Sequence, residues 1–130
     1  MRSEAQDRGD AAEMAVVEAL LSAGWTILAR NIRLGRGELD IVAVDAGPRP
    51  ALVIVEVRWR GRRDFGLAEE TVDHRKRAHL RTAIGRLLED GLPGGVALPR
   101  LAVRVDLVVV EPAARAGDPV RIRHHRAIQL

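Results

Sequence analysis

Gly37-Glu38-Leu39-Asp40-Ile41-Val42-Ala43-Val44-Asp45, followed closely by Ala51-Leu52-Val53-Ile54-Val55-Glu56-Val57-Arg58-Trp59, is the stretch on which the fold turns. Each half is a β-branched apolar run bounded by Gly or Pro, and Asp45-Ala46-Gly47-Pro48-Arg49-Pro50 between them is turn chemistry. A β-hairpin is the expected result. Strict alternation places Asp40 with Glu38, Val42 and Val44, and Glu56 with Leu52, Ile54 and Arg58. A hairpin symmetric about Pro48 sets Asp40 opposite Glu56 and Glu38 opposite Arg58. Like charges so placed repel, and an unpaired charge within an apolar strand is costly to desolvate. The carboxylates therefore require a cation. Arg58 would make a salt-bridged strand pair, whereas a divalent metal would take carboxylate and carbonyl oxygens as hard ligands, and the two strands alone leave both open.

A chain of 130 residues, 47% hydrophobic, fits one domain with one core. We expect residues 1–9 to be a mobile N-terminus and residues 10–130 to form the domain. No apolar run is long enough to span a membrane, and the polar start MRSEAQDRGD does not read as a signal peptide. The absence of Cys excludes disulfides and thiolate metal sites and fits a cytoplasmic location. Lys76 is the single lysine among 21 basic residues, against a net charge of only +3. Arginine suits phosphate, although a GC-rich genome gives the same bias. Within residues 58–81, Arg58, Arg60, Arg62, Arg63, Arg75, Lys76, Arg77 and Arg81 outnumber four acidic residues. This basic segment begins where the carboxylate strand ends, and reads either as solvated surface or as a phosphate-binding face.

Around the hairpin, a first helix is expected from Asp10 as N-cap to Gly24, with Met14, Val17, Leu20 and Leu21 as its apolar stripe and Glu13 on the same side. An inward carboxylate in the first turn answers either to the helix dipole or to a site. Trp25–Arg33 reads as an edge strand turning through Leu34-Gly35-Arg36-Gly37. Asp73 is a candidate cap for a second helix to about Glu89, with Leu80, Ala83, Ile84, Leu87 and Leu88 buried. A strand over Arg100–Glu111 carries Asp106 as a third acidic residue in an apolar run, and residues 120–130 add a short edge strand.

Gly35-Arg36-Gly37 lacks the third glycine of a dinucleotide loop, and neither a P-loop nor a Gly-x-Ser-x-Gly elbow is present. His74, His79, His124 and His125 show no metal-ligand spacing and read as surface histidines.

Glu13, Ala29-Arg30-Asn31, Gly37-Glu38-Leu39-Asp40-Ile41-Val42-Ala43, Val55-Glu56-Val57-Arg58-Trp59-Arg60, Phe65-Gly66, Lys76 and Val105-Asp106-Leu107-Val108-Val109 together resemble the bacterial YraN family, also called UPF0102. The resemblance covers roughly residues 9 to 111. That family is similar to the PD-(D/E)xK, restriction-endonuclease-like nucleases that include Holliday-junction resolvases. The resemblance implies an α/β fold with an α-β-β-β-α-β core, a mixed central sheet flanked by helices, and a metal-dependent phosphodiesterase site. It implies Asp40 and Glu56, with the Val57 carbonyl, as ligands of Mg²⁺ or Mn²⁺, and Glu13 reaching that metal directly or through water. Arg58 fills the superfamily's Lys position. Because Arg stays protonated, Arg58 can neutralise phosphate charge and cannot act as a general base.

The expected function is that of a Mg²⁺- or Mn²⁺-dependent nuclease acting on DNA. Glu13, Asp40, Glu56 and Arg58 would be catalytic, and Arg60, Arg62, Arg63, Arg75 and Lys76 would contact the nucleic acid. Structure-selective or sequence-neutral binding is favoured over a recognition site. Trp59, on the opposite strand face from Arg58, is assigned to the core. By analogy with such nucleases a homodimer is the assembly to test. The alternatives are a non-catalytic nucleic-acid-binding module and a protein-interaction domain that reuses the cleft.

Overall fold

Ser3 starts the first helix with a capping box: its hydroxyl accepts from the Gln6 amide at 3.1 Å, while its own amide donates to the Gln6 side chain at 2.9 Å. In the computed structural model, which describes residues 2–61 and 74–130, helix α1 therefore runs Glu4–Ser22. The expected N-cap at Asp10 is corrected to Ser3, seven residues earlier. Apolar periodicity begins only at Ala12, so the first turns of α1 are exposed and leave no hydrophobic signature. Ala12, Glu13, Val16, Val17 and Leu20 face inward. Met14 and Leu21, expected in the stripe, are exposed at its margins.

Strands β1 (Thr26–Leu34), β2 (Gly37–Asp45) and β3 (Ala51–Trp59) then form two successive antiparallel hairpins. Helix α2 (His74–Asp90) carries the chain over to β4 (Ala102–Glu111), which pairs with β3 in parallel, and β5 (Arg121–His125) closes the far edge. The sheet has five strands in the order β1-β2-β3-β4-β5, mixed in direction, with one helix on each face. This is the expected α-β-β-β-α-β order with one added edge strand, consistent with a restriction-endonuclease-like core. Asp73, proposed as the cap of α2, lies outside the described residues, as do Phe65 and Gly66.

Two apolar layers hold the domain together. Val16, Val17 and Leu20 of α1 pack on Ile41, Ala43, Val53 and Val55, with Val108 and Val110 from β4 and the buried Trp25. Leu80, Ala83, Ile84 and Leu87 of α2 pack on Leu39, Val42, Leu52 and Ile54 from the other side. β3 is therefore buried on both faces over residues 51–56, which explains its near-continuous apolar run. Leu88, expected in the α2 stripe, is exposed.

The β2–β3 register is the expected one, from Asp45 opposite Ala51 to Ile41 opposite Val55. Strict alternation, however, fails at Asp40. Leu39 and Val42 both belong to the α2 side, while Ile41 and Ala43 belong to the α1 side. In β1 the pairing register shifts between Ile27 and Ala29; it then holds with Arg30 opposite Ile41 and Ile32 opposite Leu39, and between these two pairs Asn31 takes a φ of 52°. Asn is among the few residues that visit the left-handed region readily, and one such residue breaks the two-residue pleat. Asp40 is thereby taken off the face of Val42, on which alternation had placed it.

Asp106 is fully buried and has a structural explanation. Arg104 donates to both its oxygens at 2.9 Å, His124 Nε2 lies 2.8 Å away, and the Ala127 amide donates at 2.9 Å. These partners overcome the cost of burial and hold the carboxyl down at about 2. Arg104 also reaches Asp45 at 3.2 Å and stacks over Trp25, joining the β2–β3 turn to the C-terminal segment.

Gly37 sits where the first hairpin meets α2, and a Cβ there would lie 2.7 Å from both the Ala83 Cβ and the His79 carbonyl oxygen. Backbone cannot yield cheaply, so Gly37→Ala should destabilise the domain by about 1–3 kcal/mol in urea unfolding. Gly85, on the exposed side of α2 with nothing within 4 Å of an added Cβ, should behave oppositely. Gly85→Ala should stabilise by about 0.5–1 kcal/mol.

Candidate metal and phosphate site

Beyond the Ile41–Val55 pair the β2–β3 ladder gives way to a side chain: Asp40 Oδ2 accepts the Val57 amide at 2.8 Å. The N–H and C=O of a strand residue point to the same side, so the Val57 carbonyl also faces β2 at this opening. Asp40 lines a cavity of about 220 Å³ with Glu13, Asn31, Glu38, Val57 and Trp59. Trp59 packs against the α1-side core, as expected, and forms a wall of this cavity.

Glu13 projects from α1 into the same space, 7% exposed, and its Oε1 receives Arg30 Nε at 3.0 Å. Burial still raises the Glu13 carboxyl above its ordinary value, Arg30 opposing the shift and Asp40 adding to it. Arg30 was not expected at the site. Its signal was an arginine set among the apolar residues of an edge strand, where a charge is best matched by a carboxylate.

Glu56 lies on the other side of Asp40, toward α2, and is 2% exposed. Lys76 Nζ approaches its Oε1 at 3.2 Å and Arg58 Nη2 at 3.4 Å. Despite these two cations its carboxyl is pushed up to about 7, by burial first and by the Asp40 charge second. Both cations sit at the solvent margin, where their attraction is screened, whereas the desolvation of Glu56 is nearly complete. Arg58 binds Glu56 rather than Asp40, so the simple Asp40–Arg58 salt bridge is not formed.

Glu13, Asp40, Val57, Glu56, Arg58 and Lys76 are thus gathered at one end of the β2–β3 pair. Arg75 is exposed on α2 next to Lys76. Arg60 stands apart, bonded through its amide to the Val110 carbonyl and lining a separate cavity with Glu111 and Arg121. Arg62 and Arg63 lie outside the described residues.

Among the described residues no three His, Asp or Glu side chains converge as a metal cage. The oxygens a metal would have to take here are those of Asp40, Glu56 and the Val57 carbonyl, hard donors of the kind Mg²⁺ or Mn²⁺ prefers. Glu13, turned to Arg30, stands behind them. Among the described residues Arg58 Nε is buried without an acceptor, as is Arg60 Nε, while Arg58 Nη2 meets Glu56.

The profile of the Uncharacterised protein family UPF0102 matches residues 12–110, which contain every residue of this cluster. The chain belongs to UPF0102. It is 42% identical to a UPF0102 protein of Persephonella marina over 88 residues, 67% of this chain and 73% of that protein. A UPF0102 protein of Pseudomonas putida is 36% identical over 113 residues, covering 87% and 86% of the two chains. One from Moorella thermoacetica is 38% identical over 103 residues, 79% of each. The UPF0102 match ends at the close of β4, so β5 and the His124–Asp106 contact couple a segment outside the matched region to a strand within it.

The raised Glu56 carboxyl gives a pH test. Folding binds its proton more tightly, between the ordinary 4.5 and about 7. This contribution to stability is complete below the lower value and is lost as pH rises through the upper one. Glu56→Gln removes the titration and keeps the shape. In chelator, the wild type should lose about 3 kcal/mol relative to Glu56→Gln between about pH 4 and about pH 8. Parallel stability curves for the two proteins would show that Glu56 ionises freely.

Proposed function

We propose that this domain is a Mg²⁺- or Mn²⁺-dependent nuclease that hydrolyses phosphodiester bonds of DNA, selecting structure rather than sequence, and that it acts in the cytoplasm. The observation that carries the reading is the placement of Asp40 at the open end of the β2–β3 ladder, between Glu13 and Glu56, with Lys76 and Arg58 on the Glu56 side. Two carboxylates near each other beside two cations suit a metal on one side and a phosphate on the other. Among the described residues no helix is long and apolar enough to cross a membrane.

Asp40, Glu56 and the Val57 carbonyl would hold the metal, with Glu13 and Arg30 fixing the ground behind Asp40. When bound, such a metal neutralises phosphate charge and lowers the pKa of a coordinated water. The chain's own groups do the rest. Arg58, partly exposed beside Glu56, brings a guanidinium that can neutralise phosphate charge and, always protonated, cannot remove a proton. Lys76 brings a compact ammonium to the same carboxylate, and unlike Arg58 it can exchange a proton. The Val57 amide orients Asp40, whose second oxygen remains for a ligand.

A second reading, a nucleic-acid-binding module without catalysis, draws on the fact that Lys76 and Arg58 already partly neutralise Glu56. A cleavage screen on single-stranded, duplex, flap and four-way-junction DNA, with Mg²⁺ or Mn²⁺, separates the two. Cleavage should require the metal, and Asp40→Ala or Glu56→Ala should abolish it while DNA binding persists. Full activity in either variant would remove the assignment.

Melting curves examine the metal site without any substrate. Asp40→Asn keeps an acceptor for the Val57 amide and removes a charge that repels Glu56. In EDTA it should be more stable than wild type by about 1 kcal/mol. Added Mg²⁺ or Mn²⁺ should narrow the difference, because a ligand bound to the folded state stabilises only the protein that binds it. A less stable Asp40→Asn in EDTA would argue for a structural ion pair in place of a metal site.

A further inference from the structure

Arg75, His79, Thr82 and Arg86 recur on α2 at helical spacing and share one flank, beside the buried stripe of Leu80, Ala83 and Leu87. That flank faces the β1–β2 turn. Gly35, Arg36 and Gly37 from the turn and His79, Thr82 and Arg86 from the helix enclose a groove of about 370 Å³. Its walls are held close: Gly37 leaves no room for a Cβ against Ala83 and His79, and the Arg86 guanidinium lies 3.2–3.4 Å from where a Gly35 Cβ would stand.

Several arginines of the domain are neutralised in place. Arg30, Arg58, Arg104, Arg123 and Arg126 each have a carboxylate partner. Arg36 and Arg86 are exposed, and among the described residues neither has a carboxylate within salt-bridge distance. Two arginines without a carboxylate partner among the described residues thus line one groove, the Arg86 guanidinium lying across it against Gly35. We propose that this groove carries the sugar-phosphate backbone of a nucleic acid away from the carboxylate site, Arg36 and Arg86 each contacting a phosphate.

The groove and the site share α2, whose first turns bring Lys76 to Glu56. From Arg75 to Arg86 the helix rises about 16 Å. Successive phosphates of a duplex strand advance about 3.4 Å along its axis, so this flank spans several of them. The Thr82 hydroxyl and the His79 ring add neutral polar groups between the arginines. An acidic protein segment is disfavoured because such partners anchor through apolar side chains in pockets, and glycine, arginine, histidine and threonine line this one. No base-reading element enters the groove, in keeping with sequence-neutral contact.

The inference rests on the nuclease reading for the identity of the ligand, and its test is run in EDTA so that the two can fail separately. Binding of a labelled DNA duplex is measured by anisotropy over a salt series for wild type, for Arg36→Ala with Arg86→Ala, and for Arg36→Lys with Arg86→Lys. The double alanine variant should lower the log–log salt slope by roughly 1.8, two contacts at about 0.9 each, and the double lysine variant should keep it. Both positions are exposed, and matched melting curves verify that the variants fold. An unchanged slope in a folded double alanine variant overturns the groove, even if the wild type cleaves DNA. A reduced slope supports the groove, even if no cleavage is ever found. Poly-glutamate competing as well as DNA at equal charge, and losing that ability in the double alanine variant, would overturn the nucleic-acid assignment.

Discussion

Where the β2–β3 ladder would supply a main-chain carbonyl for the Val57 amide, it supplies the carboxylate of Asp40. The local geometry of the site depends on that substitution. It ends the pairing of the two strands at Ile41 and Val55 and holds a charged oxygen at the sheet opening. It also coincides with the slip that sends Leu39 to the α2 side and Ile41 to the α1 side. An apolar residue at position 40 could not satisfy the Val57 amide, and a buried amide without an acceptor costs about 1–3 kcal/mol.

The same place is electrostatically divided. On the α1 side Glu13 is balanced by Arg30, and on the α2 side Glu56 is approached by Lys76 and Arg58. Asp40 stands between them and raises both carboxyls, so the three acids act on one another without forming a cage. Burial is the largest contribution at Glu56 because a strand covered on both faces leaves its carboxylate almost no water. Position, more than the count of neighbouring cations, makes this residue unusual. Asp106 shows the opposite balance, equally buried but held low by hydrogen bonds that fit it closely. One polar strand position is a candidate for chemistry and the other is structural, although both look alike as an acid inside an apolar run.

Much of this was legible in the chain. The hairpin and its register follow from two apolar runs around a Gly-Pro turn, and the pairing of Asp45 with Ala51 through Ile41 with Val55 is the one expected. Trp59 was correctly assigned to the core, and residues 120–130 do hold an edge strand. The start of α1 was placed late because exposed turns carry no apolar period, although Ser3 and Gln6 held the capping signal. Met14, Leu21 and Leu88 each lie at the rim of an amphipathic stripe, where spacing alone does not separate buried from exposed.

By itself, then, the sequence determined the element order, the two hairpins and the clustering of carboxylates near the end of one of them. These depend on local periodicity and turn chemistry, which neighbouring residues specify among themselves. Only the tertiary structure decided which cation meets which acid. Arg30 goes to Glu13 across 17 positions, Lys76 reaches Glu56 on β3 from helix α2, and Arg36 and Arg86 come together along one groove. Such pairings depend on the left-handed backbone at Asn31 and on where α2 crosses the sheet. One left-handed residue changes the direction of every side chain after it, and a strict two-residue alternation carries no sign of that change.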